Sequence, residues 1–158
     1  MKAAAISDVK NELKSLPAKN LVDICLRLAK YKADNKELIG FLLFEAHKKP
    51  AFVEELKNGI SVQFNQLDPK QNLYYLKKSL RKILRQIVKY CRYLDDKAMA
   101  ADLHIFFCLQ LKDSGIPFHK SQQLTNLYAQ QLKKIHSLIA TLHPDLQADY
   151  RHDLENIA

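Results

Sequence analysis

Apolar residues return every three or four positions along almost the whole chain, and prolines stand where that pattern breaks. Pro17, Pro50, Pro69, Pro117 and Pro144 each fall between periodic stretches, where a proline in a first helical turn removes no hydrogen bond. The spacing predicts a short helix over about 6–15, capped by Ser7, with Ile6, Val9, Leu13 and Leu16 on one side. A second helix is expected over about 18–32 on Leu21, Ile24, Cys25 and Leu28. A third follows over about 35–48 (Leu38, Phe41, Leu42, Glu45) and a fourth over about 51–66 (Phe52, Leu56, Ile60, Phe64). The most regular run is 70–93, with Leu73, Leu76, Leu80, Ile83, Ile87 and Cys91 in phase. A sixth helix over about 96–113 follows Asp95 and Asp96, whose carboxylates suit the positive end of a helix. Its stretch from Leu103 to Leu109 is apolar nearly all round, which marks a central helix and puts Phe106 in the core. The remaining helices are expected over about 121–142 and 145–157. Gly40 and Gly59 interrupt helices three and four.

This pattern predicts an all-α protein of seven to eight antiparallel helices, stacked as hairpins in a superhelix or gathered as an irregular globule. Composition agrees. Three glycines and five prolines make up about 5% of 158 residues, against roughly 12% in an average protein. Hairpin turns consume glycine, so a sandwich or barrel is disfavoured. No two of Gly40, Gly59 and Gly115 are close enough to cradle a phosphate. A chain of this length buries roughly 68–70% of its unfolded surface, so residues 1–158 are taken as one domain. The cysteines, Cys25, Cys91 and Cys108, are odd in number and far apart, and they read as small hydrophobes in a reducing compartment. The opening MKAAAISDVK is too short for a secretion signal. No apolar run reaches the roughly 18 residues that a membrane span needs. A cytoplasmic location without membrane partners is therefore expected.

Two local features carry a resemblance. Pro17 opens a helix that is followed by a short polar turn and a second helix over 17–48, and Asp8-Val9-Lys10 starts the first helix with an acid, a valine and a base. In these the chain resembles the HEAT and armadillo-like helical repeats. No fixed period aligns residue by residue, so the resemblance lies in architecture. It implies a surface for a protein partner rather than a catalyst.

Charge sharpens the functional question. The formal net charge is +8, and eight basic residues with no acid lie between Asp68 and Asp95. Without them the rest of the chain carries as many acids as bases. At 100° per residue, Lys78, Arg81, Lys82, Arg85, Lys89 and Arg92 form one stripe on helix 70–93. Tyr74 falls inside that stripe, with Tyr75 and Tyr93 beside it. Cations at such steps can follow a phosphodiester backbone while an aromatic ring stacks on an unpaired base. They can also dock an acidic protein helix. A third reading is internal. Asp145, Asp149 and Asp153 recur every fourth residue, so the last helix can lie across the stripe and leave it purely structural.

Catalytic chemistry is sparse. Asp149, His152 and Asp153 share a helix face, as His136 and His143 can, but HExxH and paired Glu-x-x-His helices are missing. No metal ligand set and no cofactor are expected. His104, inside the apolar helix, reads as a hydrogen-bonded core histidine. Among the thiols only Cys91 has a basic neighbour, Arg92, that can lower its pKa. The sequence thus points to a non-catalytic helical interaction module, with nucleic-acid binding through helix 70–93 as the alternative.

Overall fold

A computed structural model describes residues 3–158. It is 83% helical with no strand among the described residues, so the chain is all-α. The chain divides into two compact units, one ending at His47 and the other spanning Lys48–Ala158.

In the N-terminal unit, α1 (Ile6–Ser15), α2 (Ala18–Tyr31) and α3 (Ala33–Gly40) are followed by a π-helical turn, Phe41–Glu45. Ser7 does not cap α1. The cap position is Ala5, and the Ser7 hydroxyl instead donates to the Asp8 carboxylate at 3.4 Å. The Asn35 amide donates to the Leu28 carbonyl at 2.9 Å and ties α3 to the end of α2. The single helix expected over 35–48 changes winding at Phe41, directly after Gly40. The wider π turn rotates later residues out of phase. Phe41 is buried, while Leu42, Leu43 and Phe44 are exposed. Ile6, Val22, Leu26, Leu28 and Tyr31 are also exposed.

The second unit contains α4 (Lys49–Asn65), α5 (Leu73–Leu94), α6 (Lys97–Asp113), α7 (Gln122–Ile139), α8 (Pro144–Asp149) and α9 (Arg151–Ile157). Helices α4, α5, α7 and α9 all pack on α6. Leu103, Ile105, Phe107, Cys108 and Leu111 of α6 are buried, which explains its nearly unbroken apolar sequence. Phe106 is a correction to the expected core: it is half-buried, and Phe107 is the fully enclosed ring, 5.4 Å from Phe64.

The caps follow from local chemistry. Asn72 accepts from the Tyr74 amide at 2.8 Å and starts α5. Lys70 therefore lies in the preceding turn, where its amide meets the Asp68 carboxylate at 2.9 Å. Asp95 ends α5 in the left-handed region at φ 47°, a conformation that aspartate tolerates better than most residues. Asp96 then caps α6 by accepting from the Met99 amide at 3.0 Å. The last predicted helix is divided at Tyr150 into α8 and α9.

Candidate nucleic-acid interface

Helix α5 is amphipathic, and its two faces separate cleanly. Leu76, Leu80, Ile83, Ile87 and Leu94 are buried, so the opposite side chains must face outward. Lys78, Arg81, Lys82, Arg85 and Arg92 are exposed, and Lys89 is half-buried. From Lys78 to Arg92 the stripe rises about 21 Å along the helix axis. Tyr74 is 63% exposed and Tyr75 54%, with ring centroids 5.4 Å apart and nearly perpendicular. Lys77 holds its ammonium 5.6 Å from the Tyr74 ring centre. Lys89 stands 5.7 Å from the Tyr90 ring and 5.8 Å from the Tyr93 ring, so its stem lies along aromatic surface. Tyr93 itself is buried and presents no stacking face to solvent, unlike the position expected for it beside the stripe. Tyr75 is exposed beside the stripe, as its spacing predicts, and half-buried Lys77 extends the surface beyond the stripe residues.

The acidic last helix does not occupy this face. Its apolar side, through Tyr150 and Ile157, is buried, and it packs on α6. The Tyr150 hydroxyl donates to the Asp102 carboxylate at 2.7 Å and lies 3.1 Å from the Ala98 carbonyl. The Tyr128 hydroxyl donates to the Ile157 carbonyl at 2.6 Å, and Lys112 donates to the Asn156 carbonyl at 2.9 Å. Asp145 and Asp149 are exposed. Asp145 sits 3.5 Å from His143. The internal reading of the charge pattern is overturned by where the apolar side of the last helix goes.

The groups with nucleophilic or metal-binding potential sit elsewhere. Burial pushes the Cys91 thiol up to about 11, and the nearby Lys134 only partly offsets this. The sequence neighbour Arg92 therefore does not activate Cys91, because it points outward while the sulfur points in. Burial likewise pushes Cys108 up to about 12. His104 is 2% exposed, and its Nδ1 lies 3.0 Å from the Gln131 side-chain oxygen. Burial lowers its pKa below the ordinary 6.5, the Gln131 hydrogen bond acts in the opposite sense, and Lys134 adds to the lowering. Among the described residues, no three His, Cys, Asp or Glu side chains gather to hold a metal, and Asp149, His152 and Asp153 do not converge. No helix of the described residues is long and apolar enough to cross a membrane.

Comparison with known proteins adds no relative: no family model, no curated protein and no solved structure matches the chain.

Proposed function

We propose that this chain is a non-catalytic, cytoplasmic binding module that engages nucleic-acid backbone through the outward face of α5. One observation carries the reading: five of the six stripe cations are exposed and Tyr74 stands at the N-terminal end, while the acidic helix that could screen them packs on α6. A polyanion that lies along the stripe releases condensed counterions, and this drives binding without any specific contact. Tyr74 and Tyr75 offer ring faces to unpaired bases, which favours single strands over duplex. The three free thiols suit a reducing compartment.

The direct test is charge reversal. Lys82→Glu with Arg85→Glu should weaken binding of a single-stranded oligonucleotide at low salt, and by the same factor for every sequence, because phosphate contacts position without reading bases. Binding that survives the double reversal refutes the reading. A second reading, a protein-interaction scaffold, is favoured by the exposed apolar side chains Val22, Leu26, Leu28 and Tyr31 of the N-terminal unit. It predicts a protein partner whose binding is indifferent to the α5 reversal.

A further inference from the structure

Helices α5 and α7 run alongside each other in the same direction. Lys77 donates to Gln123 near the start of both, and Lys134 acts on Cys91 toward the end of both. Between them lies a groove of about 270 Å³ at the edge of the cationic stripe. Half-buried Leu84 and buried Leu127 provide apolar surface in it. Its polar lining comes from the Arg81 guanidinium and the carboxamides of Gln123, Asn126 and Gln130. A fourth carboxamide, Gln131, is fixed by its bonds to His104 and to the Leu127 carbonyl.

We infer that this groove is a nucleobase subsite: it takes one splayed-out adenine of the single strand whose phosphates lie along the α5 stripe. The inference rests on the backbone-binding reading above and adds sequence preference to it. A cavity of about 150 Å³ holds a benzene ring, so 270 Å³ admits a two-ring base. Leu84 and Leu127 supply an apolar surface for its ring. A carboxamide presents a donor beside an acceptor, the pattern that pairs with the amino group and adjacent ring nitrogen of adenine. The Gln130 amide offers both, whereas the oxygens of Gln123 and Asn126 already accept one bond each, from Lys77 and Gln122, and keep one lone pair. Asn126 accepts from Gln122 at 2.8 Å, which orients its amide. Among the described residues nothing engages the Gln130 amide. Arg81 belongs to both surfaces, so a strand whose phosphate meets Arg81 has its base at the mouth of the groove. Single-stranded nucleic acid is the form read by edges and stacking in this way, because its bases can leave the stack.

The test compares three equal-length single strands that carry adenine, purine lacking the amino group, or no base at all. Binding is measured by fluorescence anisotropy for the full chain, for Asn126→Ala with Gln130→Ala, and for Lys82→Glu with Arg85→Glu. Asn126 and Gln130 are exposed, and alanine is the better helix former, so the first variant should fold; circular dichroism checks this. The inference expects the adenine strand to bind the unmodified chain about five-fold or more tighter than the purine strand. In the Asn126/Gln130 variant that ratio should fall to about one while affinity for the base-free strand is unchanged. Purine stacks on Tyr74 as adenine does, so the ratio isolates the hydrogen-bonding groups from stacking. Equal binding of adenine and purine strands by the unmodified chain overturns the subsite, as does a preference that persists in the variant. Failure of the base-free strand to bind at all overturns the backbone reading itself, and the subsite with it.

Discussion

Replacing Phe107 with alanine should be among the most damaging single changes in the second unit, whereas the same change at Phe106 should be much milder. Phe107 has no exposed surface, and its ring meets Phe64 edge to face. Loss of such a ring costs about 3–5 kcal/mol, because the surrounding helices relax only partly into the cavity. The aromatic pair accounts for about 0.5–1.5 kcal/mol of that. At about 4 °C per kcal/mol for a domain of this size, the melting temperature should fall by roughly 12–20 °C. Phe106 leaves part of its ring in solvent, so its truncation should cost less than half as much. Urea and thermal unfolding followed by circular dichroism give both values. Equal losses, or a larger loss at Phe106, would mean that α6 is rotated about its axis relative to this account.

The remaining predictions concern titration, thiol access and stacking. His104 has a lowered pKa in the folded state, so the unfolded chain binds the extra proton between the two values; stability should be full above about pH 6.5 and decline as pH falls through that window. His104→Gln should flatten the decline in melting temperature between neutral and mildly acidic pH, and an unchanged slope would remove His104 as its source. Cys25 is exposed, whereas Cys91 and Cys108 are buried or half-buried and shifted up to about 11 and about 12. One thiol should therefore react rapidly with a maleimide at neutral pH, with the other two following only on unfolding; three equally fast thiols would contradict the packing of α5 and α6. Tyr74→Ala should weaken single-strand binding and leave duplex binding unchanged, since only unpaired bases stack on an exposed ring; equal losses on both would assign Tyr74 no stacking role.

Much of the helix plan was legible because proline and apolar periodicity act locally. The bounds of α2, α5 and α6 fall within about three residues of those read from spacing, as far as local signals allow. Phase was harder to read. The Leu103–Leu109 run is apolar on every side, so its sequence alone could not say that Phe107 rather than Phe106 turns inward. Ser7 matched a capping residue by type, yet the cap position is Ala5, two residues earlier. The direction taken by the acidic last helix was not legible either. Its apolar side fits any apolar partner, and only the assembled unit shows that Tyr150 reaches Asp102. The stripe itself was readable, because a helix with one strongly apolar side dictates what the other side exposes. The α5–α7 groove was not, since Arg81 and Gln130 line one groove only after α6 has brought two non-consecutive helices together. The run of amides at 122, 123, 126, 130 and 131 was the available signal, and without a neighbouring helix it reads as ordinary solvated surface.

The central claim is that the α5 face binds nucleic-acid backbone, and the salt dependence of binding tests it most directly. Four to six of the α5 cations on one strand should give a log–log slope of about −3 to −4 for single-stranded DNA, since each phosphate contributes about −0.7. The account predicts that slope for the unmodified chain and a shallower one for Lys82→Glu with Arg85→Glu. Affinity independent of salt, or no binding at low ionic strength, would contradict it.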